Sequence, residues 1–183
     1  MPKVAISLGS NINKEQNLPA AVSLLAATGN VVEVSSVYET IPAGLNDQPT
    51  FFNAAILLDT IYPPTMLKDG LLSEIELQLK RVRQADKNAP RTIDLDIIIY
   101  GNWIGSYTPG DNRPRYIPDP ALLRFVHVAL PVADLLPDMA HLETGERLRD
   151  IADRLLREAD TGGQPVIWAR SDIDLRMALA LRY

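Results

Sequence analysis

The order of strand-like and helix-like segments is the feature that most restricts how this chain can fold. Residues 3–8 alternate between larger apolar side chains and small ones, which is typical of a strand. Residues 18–26 place apolar side chains at helical spacing, and residues 31–38 return to the β-branched composition of a strand. The segment FFNAAILLD at 51–59 predicts another strand, apolar on both faces.

The rest of the chain continues this order. Pro63-Pro64 opens a long predicted helix, whose buried stripe is Leu67, Leu71, Ile75, Leu79 and Val82. Residues 95–100 predict a fourth strand, residues 148–156 a last helix, and residues 164–169 a possible final strand. The order β-α-β-β-α-β favours an α+β fold of the ferredoxin-like, split β-α-β type, with a mostly antiparallel sheet and helices packed on it. Because no linker or internal repeat is visible, we expect one domain over residues 1–183.

Two local signals predict how these elements are joined. Asn13 is expected to cap the first helix, with Gln16 as its capping-box partner. Residues 105–120 contain two glycines and four prolines, so they are expected to have little regular structure. Long ordered loops of this kind are usually functional.

Composition excludes several classes of protein. The chain has no cysteine and only two histidines, His127 and His141, which excludes disulfide frameworks, cysteine nucleophiles and three-histidine metal sites. Its net charge of −5 argues against a general nucleic-acid or anionic-membrane binder. No apolar stretch approaches the roughly 18 residues of a membrane span, and the N-terminus lacks a signal-peptide layout. We therefore expect a cytoplasmic protein without nucleic-acid or membrane partners; the sequence does not determine its oligomeric state.

The segment Arg91-Thr92-Ile93-Asp94-Leu95-Asp96 is the densest group of chemistry-bearing residues. Since residues i and i+2 share a face of a strand, the two carboxylates project side by side, about 7 Å apart at Cα. Such a pair predicts a hard divalent cation, Mg²⁺, as its partner. Two such ions bridged by carboxylates and phosphate oxygens recur in phosphoryl transfer. The alternative is a pair of solvated acids, since Asp172-Ile-Asp174 has the same spacing without an arginine cluster before it.

Arginines precede the carboxylate pair. Arg81, Arg83 and Arg91 lie within eleven residues of an otherwise acidic chain, and guanidinium groups suit bidentate phosphate contacts. Glu76 and Arg83 are seven residues apart, which on a helix places them on one face, away from the apolar stripe. Together they could hold the base or sugar and the phosphates of a nucleotide; the alternative is a solvated helix end. The polar segment 84–90 is expected to close over a bound nucleotide.

A second candidate site is formed by Phe51 and Asn53, which are also i and i+2 on a strand. A flat heterocycle can stack on the ring and hydrogen-bond with the amide, which both donates and accepts. The alternative is a core phenylalanine with a structural asparagine. Neither G-x-x-x-x-G-K-S/T nor G-x-G-x-x-G occurs, so any ATP site here is not a P-loop.

Four ordered stretches resemble one known family. They are ISLGSNI (6–12), SSVYET with the P, G, DQP, F and NA that follow it (35–54), IE with two later arginines (75–83), and APRTIDLDIIIYG (89–101). They resemble the 6-hydroxymethyl-7,8-dihydropterin pyrophosphokinases of folate biosynthesis, which move a diphosphate from ATP to the hydroxymethyl group of the pterin. That family is ferredoxin-like, so the resemblance implies the same fold.

The resemblance also implies a role for each matching residue. Asp94 and Asp96 would bind two Mg²⁺ ions, and Arg81 and Arg91 would assist the transfer. ATP would be contacted by Glu76, Arg83 and Arg91. The pterin would be bound by Asn11, Thr40, Pro42, Ala43, Phe51 and Asn53, with Phe51 in place of a stacking tyrosine.

After residue 101 the chain departs from that family pattern. A His-Tyr pair that contacts ATP is replaced by Asp119-Pro120, and a following arginine by Phe125. The phenylalanine that completes the pterin sandwich is replaced by His127, and the loop tryptophan by Asn88. These departures predict weaker ATP binding. They leave two alternatives open: a divergent paralogue acting on another pterin or alcohol, and a non-catalytic pterin- or nucleotide-binding module.

Overall fold

The computed structural model describes residues 1–42, 48–82, 89–160 and 166–179. Its strands are β1 (Lys3–Ser10), β2 (Asn30–Val34), β3 (Tyr38–Thr40), β4 (Phe51–Asp59), β5 (Asp94–Tyr100), β6 (Gly105–Tyr107), β7 (Arg115–Ile117) and β8 (Ile167–Ala169). Its helices are α1 (Lys14–Thr28), α2 (Pro64–Met66), a π-helical turn (Leu67–Leu72), α3 (Ser73–Gln78), a 3₁₀ turn (Pro120–Leu123), α4 (Val126–Leu135), α5 (Leu148–Ala159) and α6 (Arg176–Leu179). No helix in these ranges is both long enough and apolar enough to cross a membrane.

Among the described residues, strand β1 is paired on both sides in a six-stranded sheet. The strand order is β5-β1-β4-β3-β8, with β2 also paired to β4, and each of these pairs is antiparallel. Gly9 of β1 lies opposite Asn53 on one side and Asp94 on the other. Because neighbouring strands are about 4.8 Å apart, Asn53 and Asp94 are separated by about 10 Å across Gly9. The predicted ferredoxin-like α+β fold with an antiparallel sheet is confirmed.

Helices cover both faces of this sheet. On one face, Leu18 and Leu25 of α1 join the buried core formed by Ile6 and Phe52 of the sheet. On the other face, α4 and α5 pack through a second buried cluster that includes Val132. Burial of each large aliphatic side chain contributes about 1.5–3 kcal/mol, so both clusters hold the helices against the sheet.

Two local expectations near the N-terminus were wrong. Asn13 begins α1 but has a left-handed backbone (φ 45°), and its side chain makes no capping hydrogen bond; its carbonyl oxygen accepts from Gln16 and Asn17 instead. The strand expected over residues 31–38 is divided into β2 and β3. The register against β4 shifts within β2, between Val31 and Glu33, and in the gap before β3 the Ser35 hydroxyl accepts the Ala55 N–H.

The helical stripe that begins after Pro63 is only partly as predicted. Leu67 and Ile75 are buried, but Val82 is 68% exposed. The π-helical turn changes the periodicity, so that Lys68 and Leu72 are buried within it. The helix ends at Gln78, before the residues that an unbroken helix would carry to Val82.

Between residues 105 and 135 the structure contains more regular elements than the sequence pattern predicted. The segment expected to be irregular contains the β6–β7 hairpin. Helix α4 was not predicted, because Pro131 lies inside it and its composition is apolar nearly all round, without a clear period. The expected last helix and final strand are present as α5 and β8. The single domain over residues 1–183 stays a prediction.

Strand β8 brings an arginine to a buried carboxylate beside β3. Arg170, which follows β8, donates to Glu39 at 2.5 Å, and Lys14 of α1 donates to the same carboxylate at 2.6 Å. Both cations also lie over the ring of Phe52, at 4.8 and 4.3 Å from its centroid. This network ties α1 and β8 to β3, in which Thr40 directly follows Glu39.

The carboxylate at the centre of this network has a strongly shifted pKa. Burial raises the pKa of Glu39, but hydrogen bonds from Lys14, Thr50 and Arg170 outweigh burial and hold it at about 2. The folded pKa is below the unfolded value of about 4.3. Ionised Glu39 therefore stabilises the fold at neutral pH, and this stability is lost as the pH falls through that interval.

We expect Glu39→Gln to lower the free energy of unfolding by about 3 kcal/mol at pH 7, because Lys14 and Arg170 lose their common partner. The difference from the unmodified chain should shrink as the pH is lowered towards 2. Urea unfolding at pH 7 and pH 3 measures both effects. Glu33→Gln, an exposed glutamate on β2, is the control; equal losses from the two variants would contradict the assignment.

Candidate active site

A cavity of about 370 Å³ opens on the α4 side of the sheet, where β1, β4 and β5 meet. Its walls come from elements far apart in the sequence, including the start of α4 and the 3₁₀ turn before it. Seven predicted site residues line it: Thr40, Pro42, Phe51, Asn53, Arg91, Asp94 and Asp96. The structure thus brings the two candidate sites of the sequence into one cavity.

The remaining predicted residues lie elsewhere. Asn11 is buried behind the lining: its Oδ1 accepts the Arg91 N–H at 2.7 Å, and its Nδ2 donates to the Pro49 carbonyl at 3.3 Å. It therefore joins the segment before β4 to the segment before β5. Ala43 and Arg83 lie outside the described residues, as does the departure at 88 and most of the expected closing segment 84–90.

The helical-face argument for Glu76 with Arg83 was wrong, because the helix ends at Gln78. Glu76 is 3% exposed, so it does not lie on an exposed charged face. Its carboxylate accepts the Leu95 N–H at 2.9 Å and does not line the cavity. A contact between Glu76 and ATP stays a prediction.

At one end of the cavity, hydrogen bonds orient the amide of Asn53. Its Nδ2 donates to the Thr40 hydroxyl at 2.9 Å and to the Tyr38 carbonyl at 3.4 Å. Because both N–H groups of the amide are used, Oδ1 is the atom available to accept from a ligand. Oδ1 lies towards Gly9, 3.7 Å from where a Cβ of that residue would be. This end of the cavity therefore presents an acceptor next to the ring of Phe51.

Aromatic rings also line the α4 side of the cavity. Phe125 and His127 are stacked, with centroids 5.4 Å apart and planes inclined by 23°. Burial, and then the charge of Arg91, lower the pKa of His127, so its ring is neutral at pH 7. His127 thus offers a neutral flat ring to the same cavity that Phe51 lines.

At the other end, cations surround the two aspartates. Arg91 donates to Asp94 at 2.5 Å, and Arg81 approaches the same carboxylate at 3.9 Å. Lys68 pairs with Asp96 at 3.2 Å. Burial, and then the charge of Asp96, raise the pKa of Asp94, against the opposing effect of the arginines. The three cations therefore hold two adjacent carboxylates that would otherwise repel each other.

The donor chemistry of Asp94 and Asp96 fits Mg²⁺. Both side chains line the cavity and offer hard oxygen atoms. Within the described ranges, no group of three or more His, Asp or Glu side chains could hold a metal ion by itself. Further ligands would thus be water and phosphate oxygens, and Mg²⁺ usually keeps several waters and few protein ligands.

Sequence reasoning missed Lys68, because its position lies within the apolar stretch of the predicted helix. Its side chain is only 2% exposed. Burial lowers the pKa of Lys68, but the charges of Asp96 and Glu76 outweigh burial and the pKa is raised, so the ammonium group stays charged. A lysine eight residues before a glutamate on the same helix was the available signal.

Asp119, one of the departures from the family pattern, lines the cavity and also has a structural role. Its Oδ1 accepts the Ala121 N–H at 2.8 Å, which caps the 3₁₀ turn that Pro120 begins. Burial raises the pKa of Asp119, and the charge of Asp96 raises it further. The carboxylate thus faces the same space as Asp96.

This chain is similar to known pterin pyrophosphokinases and to longer folic acid synthesis proteins. The model of the family described as 7,8-dihydro-6-hydroxymethylpterin-pyrophosphokinase (HPPK) matches residues 5–137. A 2-amino-4-hydroxy-6-hydroxymethyldihydropteridine pyrophosphokinase of Methylorubrum extorquens is 37% identical over 158 residues, which cover 85% of this chain and 94% of that protein. The folic acid synthesis protein fol1 of Pneumocystis carinii is 32% identical over 174 residues, and the match covers 93% of this chain but only 22% of that protein.

A solved structure resembles this fold despite a distant sequence. The wild-type HPPK-DHPS of Plasmodium falciparum superposes with a TM-score of 0.73 at 12% identity, covering 90% of this chain and 47% of that one. The chain therefore spans less than half the length of these longer relatives.

Gly9 forms the part of the cavity between Asn53 and Asp94, and this position generates a prediction. A Cβ there would meet only the Asn53 Oδ1, at ordinary contact distance, so the fold should tolerate Gly9→Val. The added methyl groups would extend into the cavity. We expect pterin affinity to fall at least about tenfold, which corresponds to 1.4 kcal/mol, with a small change in melting temperature. Calorimetric titration with a pterin, beside thermal unfolding, measures both; unchanged affinity would contradict this view of the cavity.

Proposed function

Since this chain belongs to the 7,8-dihydro-6-hydroxymethylpterin-pyrophosphokinase family, we propose that it transfers diphosphate from ATP to the hydroxymethyl group of 6-hydroxymethyl-7,8-dihydropterin and releases AMP. One observation carries the proposal: a single cavity is lined by an aromatic ring with an oriented amide at one end, and by two aspartates with an arginine at the other. This arrangement suits a flat heterocycle and a phosphate chain bound side by side.

In this proposal the pterin lies between Phe51 and His127. Rings of this kind stack in offset arrangements, and a neutral His127 needs no counter-ion there. The pyrimidine edge of a pterin carries N–H donors, and the Asn53 Oδ1 is the acceptor available to them. Thr40 holds the Asn53 amide in that orientation through a bond of 2.9 Å.

Asp94 and Asp96 would hold Mg²⁺ at the phosphate end, and the family resemblance suggests two ions. When bound there, Mg²⁺ would neutralise phosphate charge and stabilise the charge that develops during transfer. Arg91 lines the cavity and already bonds Asp94, so its guanidinium is placed to contact the transferred group. Arg81 does not line the cavity, but its guanidinium lies 3.9 Å from the Asp94 carboxylate and adds positive charge at this end.

The transfer itself forms one bond and breaks another. The hydroxymethyl oxygen forms a bond to the β-phosphorus of ATP, in line with the leaving oxygen. The bond from that phosphorus to the α,β-bridging oxygen breaks, AMP keeps the electron pair, and the hydroxyl proton goes to solvent. Positioning and electrostatic stabilisation supply most of the catalysis in such transfers, so the proposal names no general base.

Release of AMP from ATP in the presence of 6-hydroxymethyl-7,8-dihydropterin tests this proposal. Pterin-dependent AMP formation supports it. Nucleotide binding without turnover of this pterin would favour a divergent paralogue, for which the departures at Asp119 and His127 are the specific observations, since both line the cavity. Binding of pterin and nucleotide without turnover of any pterin alcohol would favour a non-catalytic module.

The metal assignment predicts that Asp94→Asn and Asp96→Asn each reduce Mg²⁺-dependent binding of a non-hydrolysable ATP analogue. We expect a loss of about a hundredfold or more, because each change removes a charged ligand at the phosphate end. Calorimetric titration at fixed Mg²⁺ measures it. Asp172→Asn is the matched control: it has the same i, i+2 spacing, but its carboxylate is bound by Arg170 outside the cavity. Similar losses from all three variants would contradict the assignment.

Asp119 provides a separate prediction about ATP affinity. Asp119→Asn keeps an oxygen that can cap the 3₁₀ turn but removes a negative charge that would repel phosphates. We expect the affinity for the ATP analogue to rise about threefold to tenfold, with unchanged thermal stability. Asp119→Ala also removes the cap, so it should lower stability by about 1 kcal/mol. Unchanged affinity in both variants would show that the nucleotide does not approach Asp119.

A further inference from the structure

Lys68, in the π-helical turn, contacts the strand segment that carries Asp94 and Asp96, the proposed metal-binding residues. Its Nζ lies 3.2 Å from a carboxylate oxygen of Glu76 and 3.2 Å from one of Asp96. It also donates to the backbone carbonyl of Leu95. A charged group this deeply buried needs such partners. Lys68 finds two of them, Leu95 and Asp96, on β5 and the third, Glu76, on α3.

Together, Lys68 and Glu76 bind both polar backbone groups of Leu95, the residue between the two aspartates. Glu76 accepts the Leu95 N–H at 2.9 Å, while Lys68 donates to its carbonyl. In the part of the sheet that the structure describes, β5 is the outermost strand on this side. Backbone groups on an open strand edge need partners from outside the sheet. The pair supplies these partners and so holds the Asp-Leu-Asp segment in place.

The charge of Lys68 also has a consequence for metal binding. Its ammonium group lies within hydrogen-bond distance of Asp96, 3.2 Å from one oxygen of that carboxylate. A divalent cation beside Asp96 would be repelled by Lys68, as well as by Arg91 and Arg81 near Asp94. This repulsion falls when the four negative charges of an ATP phosphate chain arrive with the cation.

We propose that Lys68 is a positioning residue that holds Asp96 and makes divalent-cation binding depend on the nucleotide. The proposal rests on the proposed function, since it takes Asp94 and Asp96 as the metal-binding pair. When no nucleotide is bound, Lys68 neutralises Asp96 and keeps the cation affinity low. When nucleotide binds, the phosphates offset the charge of Lys68 and the cation binds between phosphates and carboxylates.

Mn²⁺ binding, followed by electron paramagnetic resonance with and without a non-hydrolysable ATP analogue, tests the proposal. The unmodified chain should bind Mn²⁺ weakly alone and tightly with the analogue. Lys68→Met should bind Mn²⁺ alone at least about tenfold more tightly, because a positive charge next to Asp96 is removed. A purely structural role predicts the opposite direction, since a disordered site would lose Mn²⁺ affinity.

Two further variants complete the experiment. Lys68→Gln removes the charge but keeps a polar group for Leu95 and Glu76, so it should show the same gain even if the Met variant folds poorly. Lys80→Met changes the net charge equally at an exposed position and should show no gain. Unchanged or weaker Mn²⁺ binding by folded Lys68→Gln, or an equal gain in Lys80→Met, would overturn the proposal. If the unmodified chain binds no Mn²⁺ even with the analogue, the metal assignment fails instead.

Discussion

The antiparallel pairing of β1 with both β4 and β5 is the constraint on which the cavity depends. It places Asn53, Gly9 and Asp94 in one row across the sheet, with Gly9 between the two candidate site residues. Since the spacing between strands is set by backbone hydrogen bonds, the distance from the Asn53 end to the Asp94 end of the cavity is a property of the sheet. Because Gly9 has no side chain, the space between the two ends is open to a substrate.

Ion pairs surround the carboxylate end of this row. Arg91 and Arg81 face Asp94, while Lys68 faces Asp96, so that neither carboxylate is left without a cation. Buried charges require such pairing, and the pairing also sets what the site can accept. Because the carboxylates are already paired with cations, the proposed metal ion would be favoured when it brings phosphate charge with it.

Most strands and many residues of the cavity could be predicted from the sequence. The elements and residues that were not predicted were missed for physical reasons. The strand periods predicted β4 and β5, and the i, i+2 rule predicted that Phe51 shares a strand face with Asn53, and Asp94 with Asp96. The structure shows that both pairs line one cavity. Lys68 was missed because the π-helical turn that buries it has no signature in a pattern of apolar spacing. Helix α4 was missed because an element that is apolar nearly all round has little helical period. The role of Asp119 as a cap depends on the turn after it, which spacing alone did not predict.

We propose that the metal and the phosphates bind at the Asp94 and Asp96 end of the row. Anomalous diffraction from crystals grown with Mn²⁺, a non-hydrolysable ATP analogue and a pterin alcohol would show where the metal binds. We expect Mn²⁺ peaks about 2.1 Å from carboxylate oxygens of Asp94 and Asp96, with the pterin ring against Phe51. Mn²⁺ peaks only elsewhere, for example at Asp172 and Asp174, or a nucleotide bound outside this cavity, would contradict it.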